Sequence, residues 1–146
     1  MSISKDIMNL VHTRLLNVTK ANGYDTDCGL KVFNGRRRLD ETHLPCIVII
    51  ETDSKVSAGT RTNVQVTSRY VIEGHSECDP DNPNDKAHDI ISDIKRILFS
   101  NDIRFGGKVR EMIYKSQNIA PREDGLSIVS ASVEIDLVFS EDLTSP

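Results

Sequence analysis

Two stretches of strict alternation constrain this chain more than any other feature. Near its end, Val129, Ala131, Val133, Ile135, Leu137 and Phe139 alternate with Ser130, Ser132, Glu134 and Asp136. In its middle, Val64, Val66, Ser68, Tyr70 and Ile72 alternate with Asn63, Gln65, Thr67 and Arg69. A period of two over that length turns one face to a core and the other to water. Strands are therefore expected at about 127–139 and 62–73, in an antiparallel sheet, because parallel sheets are buried on both faces.

The remaining elements arrange themselves around these two. Cys46 to Ile50, after Pro45, is a short β-branched run without alternation and reads as a central strand at about 45–51, covered on both faces. The polar stretch Asp53 to Arg61 reads as a loop. Asn22-Gly23 and Asn34-Gly35 are turn signals that bracket a short strand at 30–33. Val109 to Asn118 reads as a strand, joined to the last one as a hairpin through Pro121-Arg122-Glu123-Asp124-Gly125.

Two helices complete the pattern. Ile3, Ile7, Leu10, Val11, Leu15 and Val18 recur at helical steps over about 3–21, with Ser2 or Ser4 as cap and Gly23 as stop. Gly74 to Asp85 is acidic and broken by two prolines, a loop ending in a helix start. Asn82 is placed to accept from the first turn, Pro83 suits the first helical position, and Asp85 sits where a capping-box acid reaches back. The helix runs over about 83–99, with Ala87, Ile90, Ile91, Ile94, Ile97 and Leu98 on one stripe. The economical fold is α+β: one domain over 1–146, a mostly antiparallel sheet of four to five strands, and two amphipathic helices packed on one of its faces.

Composition narrows the function classes. A chain of 146 residues can build a core without disulfides or metal. No apolar run approaches the roughly 20 residues needed to cross a bilayer, and the first residues lack a signal-peptide core, so no membrane partner is expected. With 22 acids against 18 Lys and Arg, the net charge of −4 argues against nucleic acid as the main ligand. Cys28, Cys46 and Cys78 form neither a disulfide framework nor a CxxC site, which fits a reducing compartment.

Several constellations invite chemical readings. His43-Leu44-Pro45-Cys46 and His75-Ser76-Glu77-Cys78 together offer four zinc ligands. A hairpin centred near Val56, however, sets Cys46 opposite about Val66 and leaves His75 beyond the strand end, so buried or half-buried cysteines are the preferred reading. The acidic stretch Glu77, Asp79, Asp81, Asp85 has oxygen enough for Ca²⁺ or Mg²⁺ but lacks EF-hand spacing, and reads as a solvated capping loop. No GxSxG, P-loop, GxGxxG or HExxH motif is present. Glu134 and Asp136 occupy the wet side of a strand, and His12 and His88 have no assignable partners, so neither catalytic residues nor a cofactor are expected. Arg36-Arg37-Arg38 could hold phosphate, yet Asp40 and Glu41 follow it. Paired with Glu77, Asp79, Asp81 and Asp85 of another copy, it would make a heterologous contact of the kind that closes rings.

The order of several segments is similar to a known family. Gly23-Tyr24-Asp25-Thr26-Asp27, Gly35-Arg36-Arg37 with Leu44-Pro45 before an apolar strand, His88-Asp89-Ile90-Ile91 with Asp93-Ile94-Lys95, Pro121 to Gly125, and Glu141-Asp142-Leu143 together resemble the tail terminator family of tailed bacteriophages. The resemblance spans about Tyr24 to Leu143. It implies a structural virion protein, assembled in the host cytoplasm. Such a subunit forms a hexameric ring on the tail tube protein, ends tube growth and meets the head–tail connector protein, with DNA only as passing cargo. A neck or head-completion protein of the same fold is the nearest alternative. From a different class stands a small cytosolic metal-binding or enzymatic domain.

Overall fold

The computed structural model describes residues 2–35, 38–121 and 127–146. Its elements run α1 (Ile3–Leu15), β1 (Val32–Asn34), β2 (Cys46–Gly59), β3 (Asn63–Glu77), α2 (Pro83–Phe99), β4 (Glu111–Ile119) and β5 (Ile128–Asp142), with short 3-10 turns between α1 and β2. The five strands form one sheet in the order β1-β2-β3-β5-β4. Among the described residues only the β1–β2 pair is parallel. The α+β class and the mostly antiparallel sheet are as the sequence patterns require.

Both helices pack on one face of this sheet. Ile7, Val11 and Leu15 of α1 and the stripe Ala87, Ile90, Ile91, Ile94, Ile97 and Leu98 of α2 are buried. They share a core with Ile47, Ile49, Tyr70, Ile72 and the inward row Val129 to Phe139 of β5. The close approach of α2 to β3 requires a glycine: a Cβ at Gly74 would collide with Ile90 Cγ2. On the opposite face, Cys46, Val48 and Ile50 form a second small cluster with Phe33, Leu39, Leu44 and Val71. This covering explains why β2 begins as an unbroken apolar run.

Several boundaries differ from expectation. The first helix ends at Leu15 rather than near 21, because the chain turns through a 3-10 segment at Lys20–Asn22. Ser2 caps α1 by accepting from the Lys5 N–H, whereas Gly23 (φ 90°) closes the 3-10 turn instead of α1. The short strand lies at Val32–Asn34 rather than 30–33. The segment from Asp53 to Gly59 is not a loop: β2 continues through it, and the reversal is confined to residues 60–62. The hairpin is therefore centred near Arg61 rather than Val56, and Cys46 pairs with His75 instead of about Val66. Strand β3 correspondingly runs on to Glu77. Asn82 makes no side-chain cap to α2; its amide instead donates to Asp85 Oδ2 at 2.7 Å. The expected turn at Pro121 to Gly125 falls, for Arg122 onward, outside the described residues.

Candidate functional site

The helix-bearing face of the sheet is closed by core, whereas the opposite face and the strand edges are not covered by the helices. The opposite face carries polar groups matched across strands. Arg69 on β3 faces Glu134 and Asp136 on β5, with its Nε 3.4 Å from an oxygen of each. Lys115 Nζ is 3.8 Å from the second oxygen of Asp136, and the Ser116 hydroxyl donates to Glu134 at 3.0 Å. The acidic pair expected to be merely solvated is thus paired, and Asp136 is buried. Nearer the other end, His75 Nδ1 lies 2.6 Å from Ser130 Oγ, while its buried Nε2 has Glu73 Oε1 at 3.4 Å without a hydrogen bond. Burial holds the imidazole below its ordinary pKa, with Glu73 opposing in part.

Among the described residues, both sides of the sheet are open. Strand β1 covers only Ile47 to Ile49 of β2. Among the described residues no strand pairs with the outer side of β2 beyond that point, and Glu51 to Gly59 are exposed. An open groove of about 620 Å³, lined by Ser2, Ser4, Lys5, Met8, Ile50 and Glu51 among others, runs beside the start of this edge. Val56 is 65% exposed although its cross-strand partner Val66 is buried. On the other side β4 is the outermost strand, with Glu111 and the run Tyr114 to Asn118 exposed. Both outer strands carry bulges, between Glu51 and Ser54 and between Val56 and Ala58 on β2, and between Tyr114 and Ser116 on β4. A bulge bends and twists an edge, so only a partner of matching shape follows it.

Arg36 and Arg37 lie outside the described residues; Arg38 is exposed. Glu77 ends β3, Asp79 and Asp81 lie in the following turn, and Asp85 is in the first turn of α2. That turn is organised by its own acids: Asp79 Oδ1 accepts from the Asp81 N–H at 2.9 Å. Among the described residues no ion pair joins Arg38 to the acidic turn. Nor does any group of three or more His, Cys, Asp or Glu among them stand placed to hold a metal ion. His12 hydrogen-bonds Asn34, and His88 is exposed on α2. No protein-family model matches this chain, and no curated protein is found similar to it.

Sequence reasoning missed the charges that stand on the opposite open sides of the sheet: Glu51, Asp53 and Lys55 on β2, Glu111 and Lys115 on β4. It missed a second feature as well. Asp93 of α2, fully buried, accepts from the Asp25 and Thr26 N–H groups and the Thr26 hydroxyl. Two of the segments that carry the family resemblance are thereby clamped together. The only available signal was an acid one turn before Ile97 at the margin of an apolar stripe.

Proposed function

We propose that this chain is a structural subunit of a bacteriophage tail, a terminator that closes as a ring on the finished tube, stops its growth and meets the head connector. The observation that carries the reading is the pair of open edges on opposite sides of one sheet. A subunit with two different, opposed contact surfaces assembles head to tail, and a head-to-tail contact that closes gives a ring. The order of segments resembling the terminator family adds the place of that ring in a virion. The exposed basic position Arg38, with Arg36 and Arg37 before it, and the acidic group Glu77, Asp79, Asp81 and Asp85 supply further charge for contacts with tube or connector. The net charge of −4 keeps passing DNA unbound.

The functional test is tail length. Particles assembled without this chain should carry tubes that outgrow the normal tail, and adding purified chain should halt growth. Tubes of normal length in its absence contradict the reading.

A further inference from the structure

We propose that the two open edges are each other's partners: β4 of one copy adds antiparallel to the outer side of β2 of the next, along Glu51 to Lys55. The inference rests on the ring reading above and names its contact surface.

Strand direction permits it. β2, β3, β5 and β4 are successively antiparallel, so β4 runs opposite to β2. A second copy set beside the first without being turned over therefore presents β4 antiparallel to β2. Register then follows from the sheet itself. Lys55 pairs with Thr67, Thr67 with Val138, and Val138 with Glu111, which makes Lys55 and Glu111 the two ends of one row across four strands. Repeating the sheet sideways without sliding brings Glu111 of the next copy beside Lys55. Both are exposed, and among the described residues neither has an ion-pair partner in its own subunit.

The same rows set Tyr114 of the next copy beside Glu51, because Glu51 pairs with Tyr70, Tyr70 with Ile135, and Ile135 with Tyr114. Sliding by two residues loses the match of Lys55 with Glu111, and opposite charges facing across strands stabilise a pair where like charges oppose it. The bulge at Tyr114 to Ser116 then comes next to the bulge at Glu51 to Ser54, so the two bent edges follow one another. A flat strand from an unrelated protein would not. The ten-residue span of β2 left open by β1 would gain a ladder of backbone hydrogen bonds, the way an edge strand is ordinarily satisfied.

A disulfide trap in the full chain tests this. Cross-strand neighbours have Cβ atoms about 4.5–5.5 Å apart, close enough for oxidation to join them. Within one subunit, positions 55 and 111 are about 14 Å apart, three strand spacings, and cannot be joined. The double variant Lys55→Cys/Glu111→Cys should give an oxidant-dependent ladder up to the ring size, and Lys55→Cys alone no ladder. If the double variant forms rings on a grid yet yields no ladder, edge pairing is wrong while the ring reading stands. If the unaltered chain never assembles, both fail. As a second arm, Lys55→Glu should raise the concentration needed for assembly about tenfold, and adding Glu111→Lys should restore it. Failure of the swap to restore assembly overturns the pairing.

Discussion

Thr26 gives Asp93 two hydrogen bonds across 67 residues of sequence, from its backbone N–H at 2.7 Å and its hydroxyl at 2.8 Å. With the Asp25 N–H at 3.1 Å as a third donor, the fully buried carboxylate fastens the turn after α1 to the middle of α2. Asp93→Ala leaves buried donors without an acceptor, each costing about 1–3 kcal/mol. We expect a loss of about 3 kcal/mol in urea unfolding, and a smaller loss, about 1 kcal/mol, for Thr26→Val, which removes only the hydroxyl bond. Equal losses for the two variants would contradict the clamp.

Gly74 is the point where α2 rests on the sheet. A Cβ there collides with Ile90 Cγ2, so Gly74→Ala should cost about 1–3 kcal/mol by overpacking. Ile90→Ala removes the atom in the way. Alone it opens a cavity worth about 2–5 kcal/mol, but combined with Gly74→Ala the loss should fall below the sum of the two. A double-mutant cycle in thermal or urea unfolding decides, and strict additivity would show that the contact does not govern the packing.

His75 makes stability depend on pH. Burial holds its folded pKa below the ordinary 6.5, with Glu73 partly opposing, so the unfolded chain takes up the proton more readily than the folded one. Above pH 6.5 the imidazole is neutral in both states and the stability it allows is fully present. As pH falls below 6.5 that stability is lost until the folded group protonates too. The urea midpoint should drop between pH 7.5 and 5.5, and His75→Gln should remove part of that drop. An identical pH profile in the variant would show that His75 is not the source.

What could be read from the sequence depended on whether an element has one dry face. Helix α2 buries one stripe, and its expected bounds of 83–99 hold; β5 keeps one unbroken inward row of apolar residues that shows a period of two, although its end lies at Asp142 rather than 139. The outer half of β2 is wet on both sides. Glu51 to Gly59 then show no period, and a polar strand has the same composition as a loop. That one misreading moved the centre of the hairpin and hid the pairing of Cys46 with His75. The candidate interface was hidden for a different reason: Lys55 and Glu111 stand on one row only through two intervening strands, and no local pattern connects residues that far apart. The clamp at Asp93 was equally hidden, since a lone acid on a helix does not say which donors meet it.

Closure of this chain into a ring is read from its mass in solution. Light scattering on the purified full chain over a range of concentrations, with negative-stain images of the same sample, should give a closed ring of about six copies. That is about 98 kDa, six times the 16.3 kDa subunit. A mass of 16.3 kDa at every concentration, with no rings on the grid, would contradict the account.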